Sequence, residues 1–187
     1  MPIRLSGALA AVVMAAGLVV LAPAPAPAAP ALAAAGTYGG RISRVQVLRR
    51  AQDWLRRDLS YSQDNARARW DLHRGRKYRP DCSGFVSMAW ALEPRKIGRA
   101  LVTWELPTVA DPISWAGLRG GDALLRLAPG NRGTEHVQLF HRWTGSARTR
   151  AVIIEQSGSH DGMRRKIVTV SGARAGGYRP YRYRNIF

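Results

Sequence analysis

The chain has 187 residues and a formal net charge of +17 at pH 7, from 29 basic and 12 acidic side chains. This length suits one ordinary domain, and the single cysteine excludes an internal disulfide framework. The charge favours acidic partners through electrostatic steering, although a G+C-rich genome also produces arginine-rich and alanine-rich chains. Zinc-ligand and RGF-type motifs are absent, so we do not expect nucleic acid as a partner.

The first apolar run follows Arg4 and covers residues 8–22, ALAAVVMAAGLVVLA, before a stretch of alanine and proline. A positive start, a short apolar run and A-x-A sites predict a secretory signal peptide over residues 1–33. The alternative is an uncleaved membrane anchor, but the run is shorter than the roughly 20 apolar residues that span a bilayer. No cysteine lies near the cleavage site, which excludes a lipoprotein anchor.

Removal of this leader leaves a short linker over residues 34–42 and one domain over residues 43–187. We therefore expect a secreted, monomeric protein that is extracellular or associated with the cell wall, without a stable membrane span after cleavage. Outside a bacterium the abundant polyanion is the wall with its acidic polymers, which fits the positive charge. The charge supports this location without proving it.

The domain is predicted to begin with a helix. Ser43 with Gln46 three residues later forms a capping-box pattern, and the apolar residues after them recur at helical spacing until about Asp58. The stretch SYSQDNARARWDLHRGRKYRP that follows is polar, charged and without a regular pattern, so it predicts a long loop.

A second helix is predicted to start at the only cysteine. Pro80 disfavours a helical residue before it, and Asp81 then caps a helix from Cys82 to about Leu92. The free N–H groups and the dipole of a helix start stabilise a thiolate, and the same N–H groups can stabilise an oxyanion. Gly84 removes a side chain that would block a substrate. The alternative is a buried, inert cysteine.

The second half of the domain changes to strand patterns. The segments predicted as extended are Ala123–Leu127, His136–Trp143, AVIIEQSGS, KIVTV and the terminal YRPYRYRNIF. Helices followed by antiparallel strands predict an α+β domain, in which N-terminal helices pack on one side of an antiparallel sheet.

A thiolate nucleophile needs a base, and the chain has four histidines. His136 begins a predicted strand after a glycine-rich turn, where a strand end meets loops. His141 lies five residues later, so on a regular strand it points to the opposite face and cannot serve the same site. The position favours His136 as the base, although a lone strand histidine is more often structural.

These residues carry a resemblance. DCSGFVSMAW around Cys82 resembles the nucleophile motif of the NlpC-type cysteine peptidases, secreted enzymes that cut the peptides of bacterial peptidoglycan. The sequences RGGD, with Asp122, and HVQLF, with His136, follow in the order of that family. The resemblance covers the mature domain and implies the papain-like fold, with Cys82 as nucleophile and His136 as general base.

The resemblance also implies roles for residues around the nucleophile. Tyr61 matches a tyrosine whose hydroxyl helps to hold the oxyanion. Asp81 and Ser83 match positions that line the substrate site, where Asp81 is able to bind the free amine of a stem peptide; its role as a helix cap is an equally good interpretation. Asp122 is interpreted as a turn-forming structural residue.

The third catalytic position departs from the family. A second histidine is common there, but this chain has VIIEQSG. Glu155 resembles the glutamate of the related cysteine- and histidine-dependent amidases, and its carboxylate would orient the imidazole. Gln156 remains an alternative as neutral orienter or substrate contact, because both faces of this strand are apolar before it. We favour Glu155.

A second departure is the long basic loop before the cysteine. Its basic residues are interpreted either as a rim that meets anionic wall polymer or as a solvated surface: Arg67, Arg69, Arg74, Arg76 and Lys77. Which peptidoglycan bond is cut therefore stays open.

The resemblance implies a cysteine hydrolase that cleaves amide bonds of peptidoglycan stem peptides through a thioester acyl-enzyme, as endopeptidase or amidase. The alternatives are a catalytically inactive cationic wall-binding domain and a thiol-dependent acyltransferase. We expect no metal and no organic cofactor, since close ligand pairs such as C-x-x-C or H-x-x-x-H are absent.

Overall fold

A computed structural model describes residues 37–95 and 99–187. The predicted signal peptide and the start of the predicted linker lie outside these residues. The helices of the described part are α1 (Arg44–Arg56), α2 (Cys82–Ala89) and α3 (Val170–Ala175). Its strands are β1 (Arg69–Trp70), β2 (Lys77–Tyr78), β3 (Ala110–Pro112), β4 (Ala123–Arg126), β5 (His136–Trp143), β6 (Arg150–Ser157), β7 (Gly162–Thr169) and β8 (Arg179–Tyr183).

Helix α1 begins where its capping box predicts. The Ser43 hydroxyl accepts from the Gln46 backbone N–H at 3.2 Å, and the Gln46 side chain accepts from the Ser43 N–H at 2.9 Å. Two otherwise unpaired donors are thus satisfied. Val47, Ala51 and Trp54 give the helix its buried face.

Helix α2 is capped by Asp81 as predicted, but it ends at Ala89, before the predicted end near Leu92. Ala91 has a φ of +53°, and the Leu92 N–H donates back to the Ser87 carbonyl at 2.9 Å. This bond belongs to a Schellman motif, which turns the chain out of the helix. A helical period does not reveal such a stop, because the apolar residues continue through it.

The sheet has six antiparallel strands in the order β3-β8-β4-β5-β6-β7. Its core under α1 and α2 includes Val137, Leu139 and Ile154. A smaller apolar cluster occupies the other face and includes Leu124, Phe140 and Ile153. The prediction of an α+β domain with helices and an antiparallel sheet is confirmed.

Several elements were not predicted. The long loop contains the hairpin β1–β2, β7 begins at Gly162, ahead of the predicted KIVTV segment, and β3 and α3 had no prediction. Strand β3 ends in a proline and lies at the edge of the sheet, where a missing N–H costs no ladder bond. Tertiary pairing outweighs local preference in these segments.

Part of the predicted linker packs on the domain. The Tyr38 hydroxyl donates to the Asp71 carboxylate, and Ile42 is buried and pairs with Ile186 near the chain end. The two ends of the described domain are therefore joined. No helix within the described ranges is both long enough and apolar enough to cross a membrane.

Candidate active site

Cys82 is the first residue of α2, directly after its cap Asp81. The residue is 9 % exposed, and its thiol forms no disulfide. Its sulfur lies 3.6 Å from the Thr103 Oγ1. The Gly84 N–H donates to the Asp81 side chain at 2.7 Å, and the Phe85 N–H donates to the Asp81 carbonyl.

These two bonds leave the earliest N–H groups of α2 for another acceptor. Neither the Cys82 nor the Ser83 N–H donates to a backbone carbonyl of the described residues. An oxygen that becomes negative beside the sulfur would meet the free donors and the positive end of the helix dipole.

Gly84 is required by close packing. A Cβ at this position would lie 1.9 Å from the Arg79 carbonyl oxygen, so any side chain would displace the segment that leads into α2. The glycine therefore holds the helix start in place. This is a different reason from the open approach for substrate that the sequence suggested.

His136 begins β5, hydrogen-bonds to Glu155 and lies close enough to Cys82 for the two side chains to interact. Its Nε2 lies 2.8 Å from the Glu155 Oε2, so the Nδ1 is the ring nitrogen left for the thiol. Burial opposes a charge on this ring, but the bonds and charges of Cys82 and Glu155 outweigh it and raise the pKa of His136 to about 9. The imidazolium form is therefore favoured at neutral pH.

Glu155 is fully buried and accepts from four side chains. Its Oε2 accepts from His136 and, at 2.9 Å, from the Gln138 Nε2. Its Oε1 lies against the Arg164 Nε and 2.7 Å from the Lys166 Nζ. Burial raises the pKa of Glu155, but the hydrogen bonds and charges of His136, Lys166 and Arg164 outweigh it and hold the pKa well below the ordinary value.

Strand geometry explains this cluster. Glu155 on β6 lies opposite Arg164 on β7, and side chains two residues apart share a face, which adds Lys166. His136 and Gln138 share a face of β5 for the same reason. The three neighbouring strands thus bring one carboxylate and its donors to one face of the sheet.

Gln156 points the other way. Its Nε2 donates to the Leu59 carbonyl at 2.8 Å, which ties β6 to the segment that leads to Tyr61. The structure therefore gives the position beside the imidazole to Glu155, and Gln156 positions a loop.

Tyr61 lies close to the site, and its ring packs on Gly158, where a Cβ would come within 3.1 Å of a ring carbon. Burial, followed by the charges of Cys82 and Asp81, raises the pKa of Tyr61 to about 12. Its hydroxyl therefore stays protonated as a donor at neutral pH. Its role towards an oxyanion stays a prediction.

Asp81 and Ser83 are almost fully buried. Asp81 accepts from the Gly84 N–H, from the Ser83 hydroxyl at 3.3 Å and from the Arg79 Nε. Both carboxylate oxygens thus have protein partners: Oδ1 caps the helix and Oδ2 binds Arg79. Binding of a substrate amine by Asp81 stays a prediction.

Asp122 is buried beside two arginines, Arg44 and Arg182, and accepts the Arg119 N–H at 2.8 Å. These contacts fit the interpretation of Asp122 as a turn-forming structural residue.

His141 lies 3.5 Å from the Gln52 side chain of α1, on the helix side of the sheet, away from Glu155.

Sequence reasoning missed the partners that complete the site: Thr103, Gln138, Arg164, Lys166 and Tyr178. Gln138 could have been found from its spacing of two residues after His136 on a strand. Thr103 and Tyr178 approach from distant segments, and no local pattern indicates them.

The structure brings Cys82, His136 and Glu155 into one row of interacting side chains, with Tyr61, Asp81 and Ser83 around the cysteine. Among residues 37–95 and 99–187, no group of three or more His, Cys, Asp or Glu side chains is arranged to hold a metal ion. Comparison with known proteins found no family model, no curated protein and no solved structure that matches the chain.

Proposed function

We propose that this chain is a secreted cysteine hydrolase of the NlpC type, with a papain-like fold, that cleaves amide bonds in peptidoglycan stem peptides. The observation that carries the proposal is the row of Cys82, His136 and Glu155, with the cysteine at a helix start. A nucleophile, a base and a buried orienter placed side by side are the minimum for thiol acyl transfer.

The first step forms a thioester. The thiol proton of Cys82 rests on His136, whose imidazolium form is favoured at neutral pH, and the Cys82 sulfur attacks the carbonyl carbon of the scissile amide. The oxyanion accepts from the N–H groups at the start of α2 and from the Tyr61 hydroxyl. His136 then gives its proton to the leaving nitrogen, the C–N bond breaks, and the amine departs.

The second step restores the enzyme. A water molecule gives a proton to His136 and attacks the thioester carbonyl, after which the C–S bond breaks and Cys82 recovers a proton. Glu155 keeps its negative charge throughout and stabilises the imidazolium of both steps. With an amine in place of water, the same chemistry would be acyl transfer.

The partner is anionic cell wall, which the net charge of +17 attracts. The hairpin β1–β2 offers basic and aromatic side chains to such a polymer. Arg69 and Trp70 are exposed on it, and the Lys77 amine lies 4.6 Å from the centre of the Trp70 ring.

The test is the release of new amino groups from purified peptidoglycan by the chain without its predicted leader, with mass spectrometry of the fragments. We expect release by the wild type and by His141→Gln, and none above background from Cys82→Ala or His136→Gln. His141→Gln is the matched control, because His141 lies away from the row. The fragment masses identify the bond, and a labelled amine in the reaction reveals transfer.

Release from Cys82→Ala at the wild-type rate would overturn the proposal. Absence of release by a folded wild type that still sediments with walls would favour the inactive binding domain. Sedimentation of Cys82→Ala at low and high salt tests the wall contact, since binding by charge weakens as salt rises. Binding that persists unchanged at high salt would contradict targeting by the basic surface.

A further inference from the structure

A cleft of 640 Å³ lies beside the proposed active site, within the range of about 300–1,000 Å³ for small-ligand pockets. The side chains along it that matter here are Trp115, Leu127, Arg174, Tyr178, Arg179 and Tyr181. The cleft has an apolar part and aromatic walls. None of the described residues that line it is acidic.

Tyr178 joins the cleft to the proposed base, His136. The rings of Tyr178 and His136 stand edge to face, with 6.4 Å between their centres. The Tyr178 hydroxyl accepts from the Gln138 side chain at 3.3 Å, and that side chain also binds Glu155. One aromatic residue is thus both a wall of the cleft and a neighbour of the catalytic row.

Strand pairing fixes this placement. Arg126 on β4 lies opposite His136 on β5, and Leu125 lies opposite Arg179 on β8. The end of β4, the start of β5 and the start of β8 therefore meet at one edge of the sheet. His136 and the cleft residues Tyr178 and Arg179 therefore lie near the same ends of these strands.

Two arginines give the cleft its charge. The Arg174 guanidinium lies over the Trp115 ring, 5.3 Å from its centre, and both Arg174 and Arg179 are exposed. Neither forms an ion pair with a carboxylate of the described residues. Guanidinium groups bind carboxylates with paired, charge-assisted hydrogen bonds, so these two are available for an anionic ligand.

The direction of the reaction identifies the ligand. His136 protonates the leaving nitrogen, so the segment that departs with that nitrogen lies on the His136 side of the scissile bond. In a peptide this segment is the C-terminal part, and it ends in a carboxylate. The cleft on that side carries the guanidinium groups of Arg174 and Arg179, which have no carboxylate partner among the described residues.

We propose that the cleft binds the leaving segment of the substrate and that Arg174 and Arg179 receive its free C-terminal carboxylate. This rests on the proposed hydrolase function. The enzyme then selects stem peptides with a free C-terminus over stems whose terminal carboxyl group is joined to another chain. Trp115 holds the Arg174 side chain in place for this contact.

The test uses two synthetic stem peptides that differ only in a C-terminal carboxylate or carboxamide. We expect the wild type to cleave the carboxylate peptide with a kcat/KM about 10-fold higher, because a charge-assisted contact is lost in the amide. Arg174→Gln and Arg179→Gln should lower kcat/KM for the carboxylate peptide to about that of the carboxamide. Arg165→Gln, an exposed arginine of β7 outside the cleft, is the matched control and should keep the preference.

Equal kcat/KM for the two peptides would overturn the proposal, as would a preference that survives in both cleft variants. If the wild type cleaves neither peptide, the hydrolase function fails, and calorimetric binding of both peptides to Cys82→Ala decides about the cleft separately. Binding about 10-fold tighter for the carboxylate, lost with Arg174→Gln, would support the cleft. Equal binding, or none, would reject it.

Discussion

Two buried carboxylates lie beside the proposed nucleophile and base, and they differ in how burial affects their charge. Asp81 at the start of α2 is 2 % exposed, and Glu155 on β6 is fully buried. Burial raises the pKa of Asp81, and Arg79 with the Gly84 N–H only partly offsets it. Glu155 also loses water, but its interactions with His136, Lys166 and Arg164 bring its pKa below the ordinary value.

The difference lies in the number of cations. A buried carboxylate keeps its charge only where opposite charges and donors replace the lost water. Within the described residues, Glu155 has three positively charged or chargeable partners, whereas Asp81 has Arg79 alone. The residue proposed to stay ionised through catalysis is thus the one with the larger cationic environment.

The largest expected effect is on activity. Glu155→Gln removes the charge that holds the His136 imidazolium, and we expect kcat/KM to fall about 10³-fold on a cleaved stem peptide. Asp81→Asn keeps a side chain that can cap α2, so its loss should stay within about 10-fold. A similar loss in both variants would contradict the distinction between the two carboxylates.

The pH profile should show the next largest effect. Interactions with Cys82 and Glu155 raise the His136 pKa to about 9 from 6.5, so the imidazolium is fully present below pH 6.5 and is lost as the pH rises through about 9. We expect kcat/KM to fall on the alkaline side near that pH. In Glu155→Gln the alkaline limb should move to lower pH, whereas Asp81→Asn should leave it in place. A limb that does not move in Glu155→Gln would show that Glu155 does not hold the charge.

The smallest effect concerns stability. The raised Asp81 pKa means that the free energy of unfolding falls as the pH rises above 3.8, so Asp81→Asn should gain stability relative to the wild type from pH 4 to pH 7, by about 1 kcal/mol or less. The lowered pKa of Glu155 has the opposite effect on how the free energy of unfolding changes with pH. Its contribution is present above pH 4.5 and is lost on acidification.

Glu155→Gln should therefore lower the free energy of unfolding at neutral pH, by about 3 kcal/mol, because it leaves Arg164 and Lys166 without their carboxylate. Urea unfolding of both variants between pH 3 and pH 7 measures the two slopes. Slopes of the same sign would refute the comparison.

Elements with strong local signals were predictable. The capping box at Ser43, the cap at Asp81 and the strand His136–Trp143 all appear in the structure as expected. Helix α3 could not be predicted, because VSGARA contains glycine and a β-branched residue, and neither favours a helix. The Thr169 side chain caps it, and it packs on β7.

The sequence by itself determined where the proposed nucleophile and base stand, because a capping aspartate and a strand after a glycine-rich turn are local features. Only the tertiary structure decided between Glu155 and Gln156, since both are fully buried neighbours on one strand. The face of β6 that lies beside His136, and the register that adds Arg164 and Lys166, come from the pairing of β5, β6 and β7. A local pattern cannot contain that information, because it depends on contacts that exist only after the sheet has formed.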